Sequence, residues 1–264
     1  MTVTDPTINN LLTREEVSAP IVSENANTVL KKRYYKKDEN GVVVEDAMDM
    51  YLRVANHIAS AEPSYPKEFA LEFYNLMATN KFMPNSPCLM NAAKGTGMLS
   101  ACFVLPVEDD LPSIMKTNSD IAIIQKAGGG TGMSFSRLRP SDSIVSSSGG
   151  SSSGPIPFVS MMSGTTKAIQ QGSFRRGANM GILAIDHPDV IKFIEAKEDL
   201  TMWQNYNVSI SIPDEWMNKL RDYPNTPHMI QHDKWGEGFL AREAASGKLY
   251  SIKGDPSSVK DSNG

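Results

Sequence analysis

The sequence predicts an α/β protein preceded by a mainly helical region, and three observations carry that expectation. Up to about residue 80, apolar residues recur at helical spacing. Beyond it, short strand-length apolar runs alternate with longer amphipathic stretches, the pattern of a largely parallel α/β sheet or barrel. Within the strands one face is apolar and the other polar. In "NVSISI", for instance, Val208, Ile210 and Ile212 oppose Asn207, Ser209 and Ser211.

Taken in order, residues 1 to about 28 are polar, with no core of their own. "LKKRYYKKDENGVVVED" reads as a basic strand, an Asn-Gly turn and a returning Val run, a hairpin signature. Two amphipathic helices follow, one on Met50, Tyr51, Val54 and Ile58, the other on Phe69, Phe73, Leu76 and Met77. Strands are then expected at "SACFVLPV", "GMSFSRLR", "NMGILAI" and "NVSISI". Helices are expected at "LPSIMKTNSDIAIIQKA", "PIPFVSMMSGTTKAIQQ", "HPDVIKFIEAKED" and "PDEWMNKLRD". "SDSIVSSSGGSSSGP" has linker composition but sits mid-pattern, which favours an ordered loop inside the domain. The division expected is a helical region over 1–80, an α/β domain over 81–235 and an irregular tail over 236–264.

The chain has 264 residues, 40% apolar and 21% charged, with a net charge of -4, enough for one large domain or two small ones. It lacks the basic stripe of a duplex-binding protein, although helix ends and a few arginines could hold a small anion locally. Two cysteines, Cys88 and Cys102, do not make a disulfide scaffold and fit a reducing compartment. "MTVTDPTINNLL" lacks a signal-peptide pattern, and no apolar run approaches the ~20 residues of a membrane span. The expectation is a soluble cytoplasmic protein without DNA or membrane contact.

Several motifs admit two readings. Gly128, Gly129, Gly130 and Gly132 in "KAGGGTGMSFS" follow a helix and precede a strand, the reverse of a Rossmann fingerprint or P-loop. They are a tight turn or a place where backbone amides approach a phosphate. Arg175 and Arg176 in "QQGSFRRGANMG" are a solvated basic turn or a phosphate or base contact. His57, His187, His228 and His232 show no metal-ligand spacing, so no metal site is expected. In "SACFVLPV", Ser100, Cys102 and Val104 share one face. That face meets water if the strand is an antiparallel edge, or lines an internal cavity if both sheet faces are covered.

"NSPCLMNA", "LSACFVLPVEDD", "AGGGTGMSFSRLRP", "SSGPIPFV", "QGSFRRGANMGILAIDHPDVIKFIEAK" and "YNVSISIPDEW" occur in one order. Together they resemble the catalytic subunit of ribonucleotide reductase, most closely the adenosylcobalamin-dependent class II type, over about residues 28–235. The resemblance implies a ten-stranded α/β barrel of two five-stranded parallel halves, of which this chain supplies the first part. It implies that Cys102 is the barrel-wall cysteine that reduces substrate and ends in a disulfide. Ser86, Ser100, Ala101, Gln171 and Arg175 match substrate-side positions, and Asp109 and Arg139 match positions that hold a deoxynucleoside triphosphate effector at a dimer interface. The Gly128–Gly132 turn then resembles the start of a specificity loop, and Cys88 stands where relatives have a small packing residue.

The family's radical cysteine lies in an Asn-x-Cys-x-Glu-like setting; neither that motif nor a disulfide partner for Cys102 occurs in this sequence. The chain is therefore expected to be the N-terminal portion of a split, interrupted or truncated reductase, inactive alone. A complementary C-terminal polypeptide or continuation, adenosylcobalamin, a thioredoxin-like reductant and homodimerisation would complete it. The alternatives are a catalytically dead deoxynucleotide-binding module, a class I large-subunit fragment, or a degenerate fragment that never folds.

Overall fold

In a computed structural model, residues 11–94, 97–147, 149–169, 177–243 and 245–258 are described. The chain divides into two compact units, residues 1–101 with 127–129, and residues 102–126 with 130–264. The first is helical: α1 (Glu24–Arg33), α2 (Ala47–Ala59), α3 (Pro66–Ala78) and α4 (Ser86–Asn91). Each start has a local cause. Ser23 accepts from the Ala26 amide, Asp46 and Asp49 form a reciprocal capping box, Pro66 opens α3, and Asn85 accepts from the Cys88 amide. The apolar stripes meet in one core that contains Met50, Val54, Tyr74, Met77 and Cys88. The expected hairpin is largely overturned: "LKKR" closes α1, and only the Lys37–Val43 bridge around a turn at Asp38 remains. The Ser23 cap and the basic residues at the helix C-terminus favour the helix over an isolated two-stranded ribbon.

The second unit carries the expected parallel sheet. β1 (Cys102–Val104), β2 (Gly130–Ser134), β3 (Asn179–Ala184) and β4 (Tyr206–Ser211) pair in sequential order, all parallel. Connecting them are α5 (Leu111–Lys126), α6 (Pro155–Ile169) and α7 (Val190–Glu195). Right-handed crossovers that keep advancing one way place every helix on the same face. That face holds Met133, Leu183 and Tyr206 against Ile121, Met162 and Phe193. The other face carries Cys102, Val104, Ser134, Ile182, Asn207 and Ser209, and Val104 is 89% exposed.

Two expectations for the later chain fare differently. The Ser/Gly stretch is ordered: Ile144 bridges Ser151, and Gly154 has φ 73° in a corner where a Cβ would lie 2.7 Å from Asp189 Oδ2. The irregular tail is overturned. After α8 (Asp214–Asp222), strands β5 (Met229–His232), β6 (Gly236–Arg242) and β7 (Leu249–Lys253) form an antiparallel sheet. Its strands are short and bury few residues, so they leave little apolar periodicity to read. Among the described residues, no helix is long and apolar enough to cross a membrane.

Candidate active site

Cys102 opens β1 on the uncovered face and is exposed. Of the two readings left open for this face, the cavity-lining one is therefore corrected for this chain by itself: four parallel strands with helices on one side leave the other side open to solvent. Its register partner is Gly130, and Gly132 pairs with Val104 in the next row of the same face. Neither glycine puts a side chain beside the sulfur. The strand expected from Gly132 starts two residues earlier, at Gly130, and of the preceding glycines Gly128, at φ 93°, shows a turn conformation.

Beyond the carboxyl ends of β1 and β2, the structure joins Asp109 to Arg139. The Arg139 amide donates to Asp109 Oδ1 at 2.9 Å, and its Nε donates to Oδ2 at 2.8 Å. Both side chains are 22% exposed, so the pair is half-withdrawn from water but still reachable. A guanidinium gripped in this way presents a fixed fork of donors to an anion. The carboxyl ends of parallel strands are also where α/β sheets carry ligands.

In the helical unit, Ser86 is the first residue of α4, and its Oγ lies 2.9 Å from Tyr34 Oη. The far end of α4 is held by Arg53, which donates to the Leu89 and Ala92 carbonyls and pairs with buried Glu45. Lys94 donates to the Tyr34 carbonyl, and desolvation, aided by Arg53, pushes its ammonium down to about 8. Cys88 borders an apolar cavity of about 340 Å³ with Val54, Phe73 and Met77, and burial raises its thiol pKa. Packing is what this thiol does. Ser100 is exposed and Ala101 half-buried, while Gln171 and Arg175 lie outside the described residues. Among the described residues, no cluster of His, Cys, Asp and Glu could hold a metal ion.

Sequence reasoning missed one feature, a buried polar tie beneath the sheet. Gln125 of α5 donates to Asn179 Oδ1 at 2.9 Å, Thr131 donates to the same oxygen at 2.6 Å, and Asn179 Nδ2 donates to Thr166 Oγ1 at 2.8 Å. Its only trace in the sequence is polar residues at positions where helical and strand periodicity calls for apolar ones.

Residues 100–250 match the family model for the ribonucleotide reductase barrel domain. The chain belongs to the ribonucleotide reductase family. Residues 22–97 match the model of that family's all-alpha domain, in keeping with the helical unit. A vitamin B12-dependent ribonucleoside-diphosphate reductase of Thermoplasma acidophilum is 37% identical over 74% of this chain and 33% of its own length. One from Mycobacterium tuberculosis is 40% identical over 84% of this chain and 32% of its own. The ribonucleoside-diphosphate reductase subunit alpha of Chlamydia muridarum is 31% identical over 80% of this chain and 21% of its own. This reductase chain thus spans about a third of the length of the first two relatives. A corrin beside Cys102 would need an enclosed chamber, and the open face of this chain does not form one by itself.

Proposed function

We propose that this chain supplies the reductant wall of a ribonucleotide reductase, which converts ribonucleotides to deoxyribonucleotides once a completing polypeptide, a separate one or a continuation of this chain, covers the open sheet face. The observation that carries the reading is Cys102, the one exposed thiol among the described residues, on the uncovered face of the family's parallel sheet. The overall reaction breaks the C2′–O bond, forms a C2′–H bond and releases water, while two thiols lose two electrons and two protons to become a disulfide. Cys102 supplies one thiol. Cys88 is buried in the other unit's core, so the second thiol comes from the completing polypeptide. The pair at Asp109 and Arg139 is the candidate effector site, with Asp109 orienting the guanidinium toward a deoxynucleotide phosphate. Ser86, Ser100, Ala101, Gln171 and Arg175 are candidates for the substrate side.

The B12-dependent relatives support adenosylcobalamin as the radical source, supplied outside this chain's own residues. The α-subunit relatives support the class I alternative. A homodimer and a thioredoxin-like reductant complete the reading. Alone, the purified chain is expected to form no deoxynucleotide from adenosylcobalamin, dithiol and ribonucleotide. With the completing polypeptide it is expected to turn over, and Cys102→Ser abolishes the activity. Turnover by the chain alone, or by the assembled Cys102→Ser variant, sinks the proposal.

The preformed pair at Asp109 and Arg139 favours one rival, a catalytically dead effector-binding module. That protein binds deoxynucleoside triphosphate, loses it on Arg139→Ala, and never turns over when complemented.

A further inference from the structure

The buried tie under the sheet has a direction. Thr166 Oγ1 spends its hydrogen on the Met162 carbonyl at 3.0 Å, so it meets Asn179 Nδ2 only as an acceptor. This turns Asn179 Oδ1 toward Thr131 and Gln125, and both of them donate to it. Gln125 must then present Nε2 inward. Reversing its amide would set two acceptor oxygens face to face. Its own Oε1 is thereby forced outward, and among the described residues it is buried with no hydrogen-bond partner. Gln125 is 2% exposed. A Cβ on Gly177 would stand 2.6 Å from that oxygen and 2.8 Å from Thr166 Cγ2. Each side-chain nitrogen and hydroxyl of the tie has at least one partner, and one acceptor is left over where the α6–β3 connection re-enters the described chain.

A buried carbonyl without a donor is costly, and native proteins keep few of them. We propose that Gln125 is a positioning residue for substrate selection. It locks the end of α5 to both ends of the α6–β3 connection, at Thr166 and at Gly177 and Asn179, and its open acceptor takes a donor in the nucleotide-bound state. This rests on the proposed reductase function, in which Gln171 and Arg175 of that connection are candidates for the substrate side. Effector occupancy then reaches the substrate side through a rigid seat, and the seat depends on an atom that touches neither ligand.

The test uses the assembled reductase, this chain with the polypeptide that completes the barrel. The readout is the ratio of kcat/KM for two ribonucleotides under each of two deoxynucleoside triphosphates. Gln125→Met keeps the length of the side chain and removes the stranded acceptor. It is expected to leave the melting temperature unchanged or raised, and to reduce the effector-driven change in that ratio at least about fivefold. Thr166→Val, which removes the acceptor that sets the direction of the tie, strands Asn179 Nδ2 and is expected to lower the melting temperature while reducing the effector-driven change in the same way. It stands in if the Met variant does not fold. Variants that fold and keep the full effector response overturn the inference and leave the reductase reading intact. If the unmodified assembly shows no effector-dependent preference, the functional reading falls and the inference falls with it.

Discussion

The helical unit satisfies its own surface, whereas the sheet unit satisfies only half of its own. In the first, the stripes of α2 and α3 close on each other, and the buried charge of Arg53 finds Glu45 and two carbonyls of α4. In the second, Leu183 and Tyr206 are sealed under helices, while Val104 on the opposite face is almost fully exposed. The two thiols follow this division: Cys88 is in the closed core, and Cys102 is on the open face. A self-contained core needs its cysteine as filler. An uncovered parallel face leaves its thiol within reach of solvent and of reagents.

The largest contrast should appear in thiol modification. A thiol reagent on the native chain is expected to take one of the two cysteines at once, and Cys102→Ser to remove that rapid phase. Cys88 should react only on unfolding, because burial both hides it and raises its pKa. Two rapid thiols would show that the helical core is not closed. The next largest effect is expected inside that core. Arg53→Ala strands buried Glu45 and two carbonyls of α4, and should cost about 3–5 kcal/mol in urea unfolding. The loss should fall on the helical unit's transition.

Residues on the two faces of the sheet sharpen the comparison within the second unit. Leu183→Ala, on the covered face, is expected to cost about 2–5 kcal/mol. Val104→Thr, on the open face of β1, should stay within about 0.5 kcal/mol in the isolated chain. If the Val104 change proves severe in the isolated chain, the open face is already occupied.

The smallest effect is expected from His187, which is buried under the sheet unit's loops. Its Nδ1 accepts from the Asp189 amide, and its other nitrogen, as a donor, meets the Leu138 carbonyl at 2.9 Å. The His232 ring lies 5.2 Å away, and Asp186 and Asp189 add nearby negative charge. Burial dominates and holds the pKa of His187 below its ordinary value near 6.5. The unfolded chain therefore takes the proton first as pH falls. The stability from this group is complete above about 6.5 and lost below it, with a slope of at most about 1.4 kcal/mol per pH unit. Stability measured against pH should show that loss, and His187→Gln should flatten it.

Much of this was written in local pattern. Alternation in "NVSISI" sends Val208 and Ile210 into the covered core and leaves Asn207 and Ser211 exposed, because side chains along a strand must take opposite faces. Helical spacing marked the stripes of α2 and α3 in the same way, and the parallel pairing of the strands followed from the strand–helix alternation. Three things depended on tertiary structure. Asp109 meets Arg139 across 30 residues, Gln125 meets Asn179 across 54, and the two glycines flank Cys102 only once the register of β1 on β2 is set. Such contacts arise between elements whose separation along the chain carries no periodic signal. The openness of the Cys102 face also belongs to the fold, since alternation tells which residues share a face but not whether anything covers it.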